Sequence, residues 1–310
     1  MSDWGLALRQ VGIAAVNVLC VILAAPLAEG LLRKVTARIQ SRQGPPIIQP
    51  YLDLMKLLGK EDVESGETPV MQRLAALLAP AAVLTAACMT PMGLRAPLGP
   101  WTDVVVLVYV ITLCGISTLL AGLSAGSTYS LLGVSREMMA MMALEPILAV
   151  MLIAGSLQVG SLRLDDVLSG SVYGSGGFAW SGLILLCVMA LAFQAMVQRM
   201  PYDTSEAETE LMEGPIAEYS GPKLAMFKFA QMAKLVVYGG IAVGLFVPWG
   251  SDGPLWLAWP VFWLKLVALI IVVTLIAATH ARVRIDQAVR RYGALLAVAL
   301  VALVLAGMGK

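Results

Sequence analysis

Groups that usually carry enzyme chemistry are scarce in this 310-residue sequence. Histidine occurs once, as His280 beside Arg282 and Arg284, where we expect an interfacial structural role. The four cysteines stand singly in apolar stretches, and no pair has the spacing of a metal site or a disulfide. There is no phosphate-binding glycine loop, no nucleophile elbow and no cysteine set for an iron–sulfur cluster. We therefore expect no catalytic residue, metal or cofactor in this chain, and no nucleic-acid partner.

Charge is also scarce: 13% of residues are charged, 59% are hydrophobic, and the mean hydropathy is +0.83. Soluble domains do not tolerate such a composition, whereas membrane proteins require it. The apolar runs are continuous, so they suit helices that cross a hydrocarbon core of about 30 Å rather than barrel strands. We predict an all-α polytopic membrane protein, a single integral membrane domain over 1–310, with about eight transmembrane helices near 11–32, 74–93, 101–123, 138–159, 178–198, 229–249, 255–279 and 293–308.

Basic residues predict the orientation of these spans. The loops after the first, third, fifth and seventh spans hold fifteen Lys and Arg residues, against four on the other side: Arg9, Arg95, Arg163 and Lys310. Because cytoplasmic loops are enriched in Lys and Arg, we expect those four loops in the cytoplasm and both termini outside. The basic stretch "LLRKVTAR" that follows the first span is expected to act as a stop signal rather than a cleavage site.

The longest predicted cytoplasmic loop, 33–73, contains "YLDLMKLLGKED". Tyr51, Leu54, Met55 and Leu58 follow the i, i+3, i+4, i+7 spacing of one helical face. The pattern predicts a short amphipathic helix at the cytoplasmic membrane interface. The same helix could equally serve as a docking surface for a partner, and the pattern does not separate the two.

Six acidic residues gather in one loop, with no basic residue between Arg199 and Lys223. They are Asp203, Glu206, Glu208, Glu210, Glu213 and Glu218. If 203–213 is helical, four of them (203, 206, 210 and 213) fall within an arc of roughly 80°. In a low-dielectric cavity such a row would share protons, as proton transfer requires. The alternative is a solvated acidic loop that keeps this face of the protein soluble.

Three ionisable residues lie deep inside predicted spans: Glu145, Lys234 and Lys265. An ionised group at that depth costs at least a few kcal/mol unless it has a partner or water. A Glu145–Lys234 or Glu145–Lys265 pair could simply fix helix packing. Together with the acidic loop, the three residues instead favour a continuous hydrophilic path. Glu29, close to Pro26 in the first span, repeats the Glu–Pro arrangement of Glu145.

Three stretches of the sequence together resemble a known family. They are "RKVTARIQSRQGPP" (33–46), "SREMMAMMALEP" (135–146) and "MPYDTSEAETELMEGPIAEYSG" (200–221). They resemble the signatures of the NADH dehydrogenase subunit 1 family, the heel subunit of respiratory complex I, and the eight-helix topology agrees over essentially the full chain. The sequence departs from the complex I pattern at Leu32, before the Arg-Lys pair, and in "GPPIIQPYLDLMKLLGKEDV" (44–63). The latter stretch, together with "EMMAMMALEP" and "ELMEGPIAEYSG", is similar to the membrane subunits of group 4 NiFe hydrogenases. These include formate hydrogenlyase subunit 4 and the Ech-type and CO-induced hydrogenases.

The resemblance implies a membrane-anchoring and ion-coupling subunit that links cytoplasmic electron transfer to proton or sodium translocation. Its expected partners are the hydrogenase large and small subunits, antiporter-like membrane subunits and the lipid bilayer of the cytoplasmic membrane. The NiFe centre and iron–sulfur clusters are expected in the partner subunits. The family's functional acids fall on the six loop acids and Glu145, and its partner interface on Arg38, Arg42, Gly44, Pro45 and Tyr219. Lys234 and Lys265 join the expected ion pathway because of their depth alone.

Two other functions stay open at this point. The chain could be the quinone-site heel subunit of a complex I-like NADH/quinone oxidoreductase, which would add a quinone. It could also be an inert anchor or an independent secondary transporter, although the two halves show no internal repeat.

Overall fold

The computed structural model describes residues 3–63, 68–169, 172–173, 180–205, 211–249 and 254–309. Three of the predicted pathway residues, Glu206, Glu208 and Glu210, lie outside these ranges. Within them the chain is helical, with short 3₁₀ turns at Gly99–Trp101 and Gly214–Ile216. The helices are α1 (Asp3–Ile39), α2 (Gln49–Leu58), α3 (Pro69–Met89), α4 (Val104–Ser124), α5 (Thr128–Val159), α6 (Leu164–Ser169), α7 (Trp180–Met196), α8 (Gly221–Phe246), α9 (Leu255–Thr279) and α10 (Ile285–Gly307).

The predicted membrane architecture is confirmed. Among the described residues, seven helices are long and apolar enough to cross a membrane, and the shorter α7 supplies an eighth apolar helix. Several helices extend beyond the predicted spans: α5 begins at Thr128 rather than 138, and α10 at Ile285 rather than 293. Hydropathy detects only the apolar part of a helix, so polar turns that project past the hydrocarbon carry no signal.

The bundle is organised around α8, which contacts α1, α2, α3 and α9. On the other side α5 packs against α4 and α10, and α10 packs against α7. Close helix approach depends on small residues, since a methyl group added at Gly239 of α8 would collide with the Leu266 side chain of α9.

The predicted amphipathic helix is present as α2 and lies beside α1, where the Tyr51 hydroxyl donates to the Leu23 carbonyl. Only part of its predicted face is packed. Tyr51 and Leu54 are half-buried, whereas Met55 and Leu58 are exposed, with 69% of Met55 accessible. The side of α2 that packs against the protein is therefore not the same as the apolar side predicted from the spacing of its residues.

The end of the acidic loop packs directly on α5. The hydroxyl of Ser130 donates to the carbonyls of Gly122 (3.0 Å) and Pro215 (3.3 Å). A Cβ atom at Gly133 would lie 2.8 Å from the Gly214 Cα and 2.9 Å from the Pro215 nitrogen, which are backbone atoms that cannot rotate away. The loop backbone therefore reaches α5 only because residue 133 has no side chain.

We expect Gly133→Ala to destabilise the protein by about 1–3 kcal/mol, the usual cost of overpacking. The matched control is Gly293→Ala in α10, where an added Cβ meets no atom within 4 Å. That change should be neutral or stabilise the exposed helix by up to about 1 kcal/mol. Thermal unfolding of both variants in detergent measures the difference, and equal midpoints would contradict the close approach.

Candidate functional site

A charged cavity of about 340 Å³ lies between α1, α8 and the start of the acidic loop. We call it the loop cavity. Its lining contains charged side chains of both signs, three acidic and three basic. Two glutamines and three apolar side chains make up the rest. The lining residues are Glu29, Arg33, Val197, Gln198, Arg199, Met200, Asp203, Glu213, Lys228, Gln231 and Met232.

The carboxylate of Glu29 is the buried centre of this region, with only 5% of the residue exposed. Its Oε1 accepts from Arg33 Nε at 3.2 Å, one turn further along α1, and Arg199 pairs with its Oε2. Arg33 continues the network through Nη1 to Asp53 Oδ2 of α2 at 3.0 Å. A buried carboxylate is tolerated only when it is paired and hydrogen-bonded, so the two guanidinium groups hold α1, α2 and the end of α7 together.

A second cavity, of about 40 Å³, lies deeper in the bundle between α4, α5 and α8. We call it the span cavity. Its polar lining comprises Glu137, Glu145, Gln198, Tyr202, Thr204, Ser205, Lys234 and Tyr238. The Lys234 amine lies 5.7 Å from the centroid of the Tyr238 ring, a cation–π distance. One water needs at least about 10–15 Å³, so a few waters fit among these polar groups.

Gln198 joins the two cavities because it lines both. It follows α7 with a left-handed φ of 56°, which is uncommon for a residue other than glycine. Its side-chain Nε2 donates to Glu137 Oε1, and Glu137 is only 3% exposed. Carboxylates therefore occur on both sides of a single amide: Glu29 on one side, Glu137 and Glu145 on the other.

The start of the acidic loop is held by the connection between α9 and α10. Asp203 Oδ2 accepts from Arg282 Nη2 at 3.0 Å, and the backbone N–H of Val283 donates to the Pro201 carbonyl at 2.9 Å. The Tyr202 ring packs on Tyr292 of α10, with 5.5 Å between the centroids. These contacts explain why residues 203–205 are irregular. The helix considered for 203–213 therefore does not include residues 203–205.

The predicted pathway residues separate into three groups. Glu145 and Lys234 line the span cavity, and Asp203 and Glu213 line the loop cavity, where Glu213 pairs with Lys228 at 3.3 Å. Glu218 is exposed and lines neither cavity.

Lys265 belongs to a different part of the molecule. Its amine donates to the carbonyls of Val247 (2.6 Å) and Trp249, just beyond the C-terminal end of α8. It lines neither cavity, so it does not form the considered pair with Glu145. A cation suits this position because the partial negative charge of the helix dipole lies at the C-terminus.

The predicted interface residues differ in how exposed they are. Arg38 and Arg42 are exposed at the cytoplasm-facing end that we predict for α1, and Gly44 and Pro45 are half-buried. Gly44 has φ 65°, and an added Cβ would collide with Ala37, so only glycine fits this tight reversal.

Tyr219, in contrast, is buried inside the chain. Its hydroxyl donates to the Ala121 carbonyl at 3.2 Å and lies 3.0 Å from the Ser124 hydroxyl. Burial raises the pKa of the phenol, so Tyr219 stays neutral at physiological pH. The Ser124 carbonyl also accepts hydrogen bonds from Thr68, just before α3, and from Gln72 of α3. Ser124 of α4 therefore contacts both α3 and the acidic loop. Tyr219 is thus a packing residue rather than an exposed one.

Several residues of the site were not among the predicted ones: Glu29, Glu137, Gln198, Arg199, Lys228 and Tyr238. A signal existed for Glu137, which precedes Glu145 by eight residues and so lies about 80° away from it around the axis of α5, on the same side of the helix. It was overlooked because the predicted span began one residue later, at 138. Gln198 carried no such signal, since its role depends on the left-handed backbone that follows α7.

Comparison with known proteins places this arrangement in a family. The NADH dehydrogenase family model matches residues 11–307. Formate hydrogenlyase subunit 4 of Escherichia coli (strain K12) is 32% identical, covering 87% of this chain and 90% of the relative. The corresponding NADH-quinone oxidoreductase subunit of Thermomicrobium roseum is 30% identical, covering 89% of this chain and 88% of its own.

Similarity to a solved structure extends to the fold as a whole. A chain of the membrane-bound sulfane sulfur reductase, an archaeal respiratory membrane complex, superposes with a TM-score of 0.85 at 23% identity, covering 97% of this chain and 99% of that one. Hydrogenase-4 component C of Escherichia coli (strain K12) is 31% identical over 79% of this chain and 78% of its own. With the family model matching nearly its whole length, this chain belongs to the NADH dehydrogenase family, among the membrane subunits of the NADH dehydrogenase subunit 1 type.

Proposed function

We propose that this chain is the membrane-anchoring and ion-coupling subunit of a membrane-bound NiFe hydrogenase complex. It links electron transfer in cytoplasmic partner subunits to the translocation of protons or sodium ions. The relatives named as subunits of formate hydrogenlyase and hydrogenase-4 support the hydrogenase assignment. The observation that carries the coupling role is the pair of polar cavities that meet at Gln198.

The arrangement suits ion coupling because a change in one charge alters the electrostatic energy of the charged side chains near it. In the loop cavity each acid has a basic partner, through Glu29–Arg199, Glu213–Lys228 and the Asp203–Arg282 pair beside it. A charge that arrives about 10 Å away changes the energy of an ionised side chain by roughly 2 kcal/mol at an effective dielectric constant of about 20. That energy corresponds to a pKa change of about one unit. Reduction of a nearby cluster in a partner would therefore shift the protonation equilibria of these pairs, next to the Gln198 amide that contacts Glu137.

We place the acidic and basic loops in the cytoplasm and both termini outside the cytoplasmic membrane. The excess of Lys and Arg in those loops supports this orientation. Contacts such as Arg33–Asp53, Tyr219–Ser124 and Asp203–Arg282 gather the corresponding helix ends on one face. Arg38, Arg42, Gly44 and Pro45 then form the interface with the hydrogenase large and small subunits, which hold the NiFe centre and the iron–sulfur clusters. Antiporter-like subunits are the proposed partners within the membrane.

The lining of the loop cavity bears on the quinone alternative. Sites for organic ligands are predominantly apolar with a few polar groups, whereas six of the eleven side chains here are charged. Such a lining suits water and ions better than a quinone. Gentle purification of the complex separates the two functions: we expect nickel and iron in the co-purifying subunits, and tightly bound quinone without nickel would reject the proposal.

We expect Glu137→Gln to lower ion uptake into inverted membrane vesicles several-fold while dye-linked hydrogenase turnover persists. Glutamine retains an oxygen that can accept from Gln198, so the variant removes the charge but keeps the contact. The control is Glu218→Gln, which alters an exposed acid outside both cavities and should leave uptake unchanged. Parallel loss of uptake and dye turnover in Glu137→Gln would instead indicate defective assembly.

The two intramembrane lysines should behave differently when changed to methionine. Lys234→Met removes a charge from the span cavity, so ion uptake per hydrogen turned over should fall. Lys265→Met removes a cation from the end of α8, which should cost about 0.3–1 kcal/mol of stability and leave that ratio intact. Vesicle uptake and thermal unfolding of both variants provide the comparison, and a loss of coupling in Lys265→Met alone would contradict the assignment.

A further inference from the structure

The short helix α2 is fixed to the bundle at both ends by close backbone contacts. Just before it, the Ile47 carbonyl approaches α1 so closely that a Cβ at Gly30 would collide with it. Just after it, the Glu61 carbonyl oxygen would lie 2.6 Å from a Cβ at Gly221, the first residue of α8. Gly221 also has a left-handed φ of 56°, which glycine adopts without strain. Because these contacts involve backbone atoms, α2 cannot shift without moving α1 and the start of α8.

Ion pairs connect the first of these contacts to the beginning of the acidic loop. Asp53 of α2 pairs with Arg33 at 3.0 Å, Arg33 pairs with Glu29 at 3.2 Å, and Glu29 pairs with Arg199. Arg199 precedes the Pro201–Val283 backbone contact by only two residues. Asp53 itself is oriented by Gln49, whose Nε2 donates to its second oxygen at 3.0 Å.

A separate ion pair connects the segment that follows α2, residues 59–63, to the end of the acidic loop. Lys223 Nζ lies 3.1 Å from Asp62 Oδ2, and the lysine side chain is only 7% exposed. The adjacent backbone N–H of Val63 donates to the Ser220 hydroxyl at 3.1 Å. A buried ammonium group is costly without an opposite charge, so the Asp62 carboxylate stabilises Lys223, and with it the nearby Ser220, in this position.

We propose that α2 and the segment 59–63 that follows it form a strut that sets the positions of both ends of the acidic loop, and that Asp62 and Lys223 are positioning residues for ion coupling. The start of the loop is tied to α2 through the Asp53–Arg33–Glu29–Arg199 series of ion pairs, and its end is tied to 59–63 through Asp62–Lys223. Loss of either attachment would let the loop pivot about the other. The inference deepens the proposed function, because it assigns the control of the loop to residues that line neither cavity.

Hydrogen–deuterium exchange of the assembled complex tests the strut directly. In Lys223→Gln and in Asp62→Asn we expect backbone exchange in 211–220 to rise at least about tenfold, because a broken buried pair lowers the free energy of local opening. Ion uptake per hydrogen turned over should fall several-fold while dye-linked turnover stays near the unmodified level. Asp53→Asn should loosen 199–205 in the same way.

Conservative variants separate positioning from general stability. Lys223→Arg and Asp62→Glu retain the opposite charges, so exchange and coupling should both stay near the unmodified level. Asp286→Asn breaks the Arg284–Asp286 pair, whose side chains are 80% and 52% exposed, and should change neither readout.

Unmodified exchange over 211–220 in both Lys223→Gln and Asp62→Asn would overturn the strut. If Lys223→Gln does not accumulate in the membrane, Asp62→Asn carries the same test from the more exposed partner, at 33%. Failure of the proposed function is distinguishable, since an unmodified complex that takes up no ions would reject ion coupling whatever the exchange measurements show.

Discussion

The buried carboxylate of Glu29 requires two guanidinium groups, and the way the chain supplies them determines much of the arrangement around the site. Arg33 comes from the same helix one turn away, while Arg199 comes from the end of α7, far along the chain. Removing either arginine would leave this buried carboxylate with a single counter-charge. The pairing therefore binds α1 to the start of the acidic loop, and through Asp53 it includes α2 as well.

The two cavities differ in the kind of polarity that they hold. The loop cavity is larger and contains matched charges, whereas the span cavity is small and mixes two carboxyl groups, one amine and several hydroxyls. Gln198 stands between them as a neutral group that can donate and accept hydrogen bonds at once. Paired charges in the loop cavity are thus followed by a neutral amide and then by the carboxyl groups of the span cavity. A change in charge at the surface can therefore alter the electrostatic potential inside the bundle without a fixed charge at the junction.

Sequence reasoning predicted the fold class, the apolar spans and the presence of α2, because continuous hydropathy and helical periodicity reflect burial directly. It located helix ends poorly, and Glu137 was missed because its turn of α5 lies outside the apolar run. Lys265 was assigned by depth alone, but a long flexible side chain reaches carbonyls at the end of a neighbouring helix. The helical row considered for 203–213 does not begin at Asp203, because contacts with Arg282 and Val283 hold that backbone irregular, and such contacts between distant residues have no local signature.

Ser124 has a consequence for the order in which the chain is built. Its carbonyl accepts from α3 and its hydroxyl meets Tyr219, which follows 95 residues later. Translation therefore delivers α3 and α4 to the membrane well before the phenol that completes their junction exists. During that interval the hydroxyl of Ser124 has only its own helix to bond, through Ala121. Biogenesis of this protein thus includes a stage at which α3 and α4 are inserted before the contact that completes their junction can form.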